Sequence, residues 1–195
     1  MGFPRLPSGS PARPAFSRRG LGPAAAVIIF LIAMAGPALA RPNPCRQDPA
    51  FQAFAFWVGS FTVSRFDAPD AIVGRNRIRS VADGCALLEE WEGASGGHGI
   101  SLTRYDPVRR LWTHHWAAPG YVIDLQGGPD GKGGMMLEGA IRYADGRGEQ
   151  AFRGHWLSLG EGRVRQTFTE RDPVTGKWAV WFDGLYVPIN RDGKP

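Results

Sequence analysis

From Trp57 to Val187 the chain alternates apolar and polar residues with a period of two, and turn-forming residues break that alternation at short intervals. Nothing else in the sequence constrains the fold as much. A period of two sends successive side chains to opposite faces of a strand, so each run offers one face to a core and one to water. Ten runs are legible: Trp57–Phe66, Gly74–Val81, Cys85–Gly93, Gly99–Tyr105, Leu111–Ala117, Tyr121–Gly127, Gly134–Tyr143, Gln150–Leu159, Arg163–Glu170 and Trp178–Val187. The breaks carry turn chemistry of their own: Asp83-Gly84, Asp106-Pro107, Asp130-Gly131, Asp145-Gly146, Gly160-Glu161-Gly162, and Asp172-Pro173 with Gly176. No stretch among them has the length and helical period of a crossover helix, so consecutive strands are expected to pair as antiparallel neighbours. A meander of this kind escapes its edges by closing into a barrel or by splitting into a two-sheet sandwich. Uniform short links without a long Greek-key return favour the barrel. Eight strands can hold one small ligand and diameter grows with strand number, so ten leave room inside. The seven tryptophans all fall within the predicted strands, where their rings can line a cavity or plug its ends.

The first forty residues have a different composition. They hold Arg5, Arg13, Arg18 and Arg19 and no acid, then the apolar run Ala24–Ala35, then Pro37 and Ala38-Leu39-Ala40. That order is a basic region, a short apolar core and a small-residue cleavage site, as in a secretory signal peptide cut after Ala40. The apolar core falls short of the about 20 residues needed to span a bilayer; an uncleaved N-terminal anchor is the alternative. Ser17-Arg18-Arg19-Gly20-Leu21 resembles a twin-arginine signal, so the Sec and twin-arginine routes both stay open. The expected location is periplasmic or secreted, with no stable membrane anchor after cleavage. Of 23 Lys and Arg, four leave with the signal, and 19 remain against 18 Asp and Glu. A mature chain so near neutrality gives no reason to expect nucleic acid or an anionic surface as partner. The expected organisation is signal peptide 1–40, an N-terminal segment with a short helix over 41–56, a barrel over 57–187 and a tail over 188–195. In the second of these, Asp48-Pro49 reads as a helix N-cap with proline at the first helical position, placing Phe51 and Phe54 on one side of a lid.

Two cysteines remain, Cys45 and Cys85. In an oxidising compartment an isolated pair reads first as a disulfide, here tying the N-terminal segment to the Gly84-Cys85 turn. Neither has a second Cys or His at ligand spacing, which argues against a metal pair. Arg-Pro-Asn-Pro before Cys45 is unlike a lipoprotein cleavage box.

Phe56-Trp57-Val58-Gly59-Ser60-Phe61 resembles the opening of calycin-like barrels, whose first strand begins with Gly-x-Trp; Phe61 stands here where those proteins carry the indole. Over about Cys45 to Tyr186 the chain also resembles a family of secreted bacterial proteins known only as a domain of unknown function. The residues carrying that likeness are Gly74-Arg75-Asn76-Arg77-Ile78, Gly84-Cys85 through Glu89-Glu90-Trp91, Ser101 with Tyr105-Asp106-Pro107, Trp112 with Trp116, Arg163-Val164-Arg165-Gln166, and Phe182-Asp183-Gly184-Leu185-Tyr186. The resemblance implies a calycin-like barrel and export, and brings no activity with it. Nitrobindin-type haem barrels are a more distant likeness. They hold haem through one late histidine; the late histidine here is His155, and its surroundings do not match that family's motif, so no cofactor is expected.

Alternation also sorts the candidates for function. Leu87, Glu89 and Trp91 share a face, and burying Glu89 there is costly unless it is paired or protonated. Asn76 and Ile78 oppose Arg75, Arg77 and Arg79, a solvated outer face. Ser101, Thr103 and Tyr105 share a face, as do Trp112, His114 and Trp116, and also Gln166, Phe168 and Glu170. Asn76, Glu89, Trp91, Ser101, His114, Trp116 and Gln166 are therefore the expected ligand-lining set, aromatic with a few polar hooks. The competing view is a satisfied internal network with no ligand. His114 and His115 point to opposite faces and cannot chelate one metal, so no metal site is expected. Glu89 with His114 or Tyr105 is the one acid–base pairing worth weighing. No nucleophile elbow or phosphate loop occurs. The leading expectation is a non-enzymatic exported barrel binding a small apolar or amphipathic molecule. Its rivals are an isomerase or hydrolase using Glu89, and a rigid interaction protein with a partner site on a rim.

Overall fold

The computed structural model describes residues 42–189; the expected signal peptide over 1–40 and the tail beyond Ile189 lie outside them. Ten strands follow one another: β1 Gly59–Arg65, β2 Ala68–Val81, β3 Ala86–Gly93, β4 His98–Asp106, β5 Leu111–Ala118, β6 Tyr121–Pro129, β7 Gly134–Tyr143, β8 Gly148–Gly160, β9 Arg163–Arg171 and β10 Trp178–Pro188. Each pairs antiparallel with its sequence neighbours, and β1 also pairs with β10, so the sheet is a closed all-β barrel. Closure leaves no edge strand.

The hairpins form where acidic side chains substitute for backbone. Asp106 accepts from the backbone N–H groups of Val108 and Arg109, Asp130 from Lys132 and Gly134, and Asp172 from Val174 and Thr175. Each is a local hydrogen bond that reverses the chain without help from the core.

Three local readings change. β2 begins at Ala68 rather than Gly74, extending through Pro69 and Asp70, with register shifts against the end of β1. Pro69 lacks an N–H and is tolerated at such an irregular strand start. The expected two-turn helix is split: after α1 (Pro44–Gln47), α2 spans only Pro49–Gln52, capped by Asp48 on the Ala50 N–H. The chain then tightens into a 3-10 turn over Ala55–Trp57, so Trp57 is not in a strand; the other six tryptophans are.

This N-terminal segment closes one end of the barrel. Phe54 and Trp57 are fully buried, with ring centroids 5.2 Å apart. Phe54 meets Trp112 at 5.7 Å and Trp156 at 5.2 Å, both edge-on, and Phe51 meets Tyr105 at 5.0 Å. Each such aromatic buries a large apolar area and gains further from the edge-to-face geometry. The segment is tied down by the Cys45–Cys85 disulfide, and by Asn43 and Arg46 donating to the Asp83 carbonyl. The covered end carries the β2–β3, β4–β5, β6–β7 and β8–β9 turns, so the opposite end carries the other five hairpins.

Candidate functional site

The backbone register places the inward polar residues in rows. Ile78, Glu89, Ser101, Trp116, Ile123 and Ile141 stand opposite one another from β2 to β7. The next row towards the covered end runs through Leu87, Thr103, His114 and Leu125. Neighbours within a row are close enough for side chains to bond.

In the first row Glu89, 3 % exposed, accepts from Asn76 Nδ2 at 2.7 Å on one oxygen and from Ser101 Oγ at 2.5 Å on the other. Asn76 Nδ2 also reaches the Tyr186 hydroxyl at 3.4 Å, and that hydroxyl donates to Gln166 Oε1. A buried chain Ser101–Glu89–Asn76–Tyr186–Gln166 thus crosses β4, β3, β2, β10 and β9. Burial lifts the Glu89 carboxyl from 4.5 to about 7, against the opposing pull of Asn76 and Ser101. Burial, and then the charge of Glu89, hold Tyr186 well above the usual phenol value. Burial likewise raises Tyr121.

Above this floor lies a cavity of about 190 Å³. Its wall includes Glu89, Gln166 and Tyr186 from the polar chain, with Trp91, Trp116, Tyr121, Ile123, Phe168, Trp181 and Phe182 around them. Trp91, Trp116, Tyr121 and Phe182 are only half-buried, and Trp181 is 37 % exposed, so the rings form the mouth. An apolar wall with a few converging polar groups is the usual make-up of a small-molecule site.

Of the seven residues expected to line a ligand, the structure puts Glu89, Trp91, Trp116 and Gln166 on the wall. Asn76 and Ser101 sit beside the wall and act through Glu89. His114 is elsewhere: fully buried at the covered end, its Nδ1 is 2.8 Å from Thr103 Oγ1 and its ring lies 5.3 Å from Trp156. Burial drives its pKa down to about 3, so it is neutral. Glu89 and His114 occupy different rows and make no hydrogen bond with each other among the described residues. Tyr105 is also at the covered end, against Phe51.

Trp181 was invisible to alternation, which faces Phe182 and Tyr186 inward and Trp181 outward. A bulge between Val180 and Phe182 inserts Trp181 as the extra residue opposite Phe168 and Thr169, so neighbours Trp181 and Phe182 both reach the mouth. Trp181 Nε1 then donates to the Tyr143 hydroxyl at 3.1 Å, and that hydroxyl donates to Glu170 at 2.6 Å. Tyr121, Ile123 and Phe168 did carry a signal, since each alternates in step with a buried neighbour on its own strand.

Glycines make room for the rings. A Cβ on Gly99 would come within 2.2 Å of the Trp116 ring, and one on Gly74 within 2.6 Å of Trp91. Gly99→Ala is therefore expected to displace the half-buried Trp116 into the cavity, at a cost of about 1–3 kcal/mol. A crystal structure or indole NMR shifts would detect the move; an unmoved Trp116 would show that the backbone yields instead.

Glu89 also makes stability pH-dependent. Its native pKa lies above the unfolded value, so the native state holds the extra proton between them. The stabilisation is complete below about pH 4.5 and is lost as pH rises through 7, by about 3 kcal/mol in all. Gln in its place keeps hydrogen-bonding capacity for Asn76 and Ser101 without charge. Urea unfolding is expected to find Glu89→Gln level with the parent near pH 4.5 and more stable by up to about 3 kcal/mol at pH 8. Parallel pH profiles for the two proteins would contradict this.

The remaining histidines face outward. His115 Nδ1 meets Asp124 at 2.5 Å, in a surface ladder continued by Arg142 and Glu149. His155 Nε2 meets Asp130 at 2.8 Å on the outer face of β8, away from the cavity. Among the described residues no group of three or more His, Cys, Asp or Glu is placed to hold a metal ion. The most exposed strand apolars are thinly spread, with Ile100, Ala117 and Val122 adjacent across β4 to β6. No protein-family model matches this chain, and no curated protein matches it.

Proposed function

We propose that this protein is an exported, non-enzymatic barrel that binds a small, largely apolar or amphipathic molecule in its cavity. The observation that carries the reading is the cavity itself: about 190 Å³ left open at one end of a barrel whose other end is packed solid with aromatic rings. Around that space Trp181 is fixed by its bond to Tyr143 and the polar floor by its own hydrogen bonds. Export is supported by the Cys45–Cys85 bond and by the signal-like order of the first forty residues. No cofactor belongs to the reading, because His155, the histidine a haem would call for, faces away from the cavity.

A native mass spectrum of protein purified from the periplasm tests this. A reproducible extra mass, lost on activation, is the expected result. A bare mass, together with no binding from a library of small apolar compounds, would sink the proposal.

One observation favours a second reading, a hydrolase or isomerase. Glu89 titrates near neutrality on the cavity wall, where a carboxyl can serve as acid or base. Hydrolysis of p-nitrophenyl acetate that Glu89→Gln abolishes would favour that reading. Hydrolysis that the substitution leaves unchanged would remove it.

A further inference from the structure

The cavity wall contains one formal charge, the Glu89 carboxyl, and no lysine, arginine or histidine. The two groups bonded to that carboxyl, Asn76 Nδ2 and Ser101 Oγ, are neutral donors, one to each oxygen. A buried carboxylate with no counter-ion is costly, and a cationic guest in the cavity would supply one. The surrounding rings suit the same guest. Trp91 and Phe182 meet at 82°, Tyr121 and Trp181 at 71°, so aromatic walls stand at near-right angles around the space. The negative faces of such rings attract a cation and repel an anion.

The geometry points to an organic monocation as the ligand: an amine or quaternary ammonium on a small apolar body, with its head at Glu89 and its body between the rings. This rests on the binding reading above and adds the ligand's charge to it. A fatty acid or other carboxylate is the guest this wall disfavours most, since its charge would face both Glu89 and the ring faces. An alcohol or hydrocarbon of the same shape would gain the apolar contacts and leave the carboxyl unpaired.

The groups facing Glu89 are few. β10 brings Tyr186 and β6 brings Tyr121, both raised above the usual phenol value by burial. β5 brings His114 in the next row, kept neutral by burial. β2, β4 and β9 bring Asn76, Ser101 and Gln166, which do not titrate. Among these groups the Glu89 carboxyl alone changes charge between pH 6 and pH 8.

Calorimetric titration with three probes of one shape tests the assignment: phenethylamine, phenylethanol and phenylacetate. At pH 8 the amine is expected to bind about ten-fold or more tighter than the alcohol, with phenylacetate weakest. At pH 6 the amine's affinity falls about ten-fold, because protons then hold a carboxyl that titrates near 7, while the alcohol's stays level. Glu89→Gln removes both the amine's advantage over the alcohol and its pH dependence. An alcohol that binds as tightly as the amine at pH 8 overturns the cationic ligand and leaves the binding reading standing. An amine preference indifferent to pH and to Glu89→Gln overturns the role of Glu89. Binding by none of the three overturns the cationic ligand and leaves the cavity reading to the native mass spectrum.

Discussion

Trp156→Ala is expected to lower the stability of the folded barrel by about 3–5 kcal/mol. Trp156 is fully buried and joins the two halves of the interior. On the covered side its ring lies 5.2 Å from Phe54, 5.6 Å from Trp57 and 5.3 Å from His114. On the cavity side it meets Phe168 at 5.5 Å. The ring also fills the space over Gly154, where a Cβ would stand 2.5 Å from it. The ring neighbours are locked by one another, and the flexible side chain best placed to move into the gap is Met135, fully buried and opposite Trp156 on β7. One methionine cannot replace an indole, so most of the gap stays open and the cost falls within the range for large-to-small substitutions. Trp156→Phe keeps a ring there and is expected to lose less. Equilibrium urea unfolding measures both. A loss below about 1 kcal/mol for the alanine variant would mean that the plug repacks freely.

Reducing the Cys45–Cys85 bond is expected to cost about 4 kcal/mol, as the loop it closes spans 40 residues. For a domain of this length that corresponds to a fall of roughly 10 °C in Tm. The barrel should still fold when reduced, because Phe54 and Trp57 anchor the N-terminal segment by packing. What the bond adds is restraint on the unfolded chain. Thermal unfolding with and without reductant, and of a Cys45→Ser, Cys85→Ser double variant, reads the effect. Identical melting curves would show that hydrogen bonds from Asn43 and Arg46 to Asp83 already hold the loop.

The candidate site was partly legible in the sequence. Alternation pointed Glu89 inward and marked its burial as costly, and the structure finds it 3 % exposed with its pKa raised. Asn76, Ser101 and Gln166 were likewise pointed inward, but alternation is blind to which inward residues meet. That depends on register: Glu89 stands opposite Ser101, while His114 stands opposite Thr103, one row away. The acid–base pairing of Glu89 with His114 drew on strand faces without rows. Trp181 escaped for a different reason, since a single-residue bulge resets the alternation beyond it and leaves no mark in composition.

Strand number, turn positions and antiparallel order follow from the sequence by itself, because each rests on chemistry within a few residues. Asp side chains fold the hairpins, glycine admits the turns, and a two-residue period fixes the faces. Only the tertiary structure decided which end is plugged, that the open end holds a cavity, and that five polar residues from five strands form one chain beneath it. Those features arise from stagger between strands far apart in sequence, and from the volume left once every ring has found its neighbours. Neither quantity is a property of any local stretch of chain.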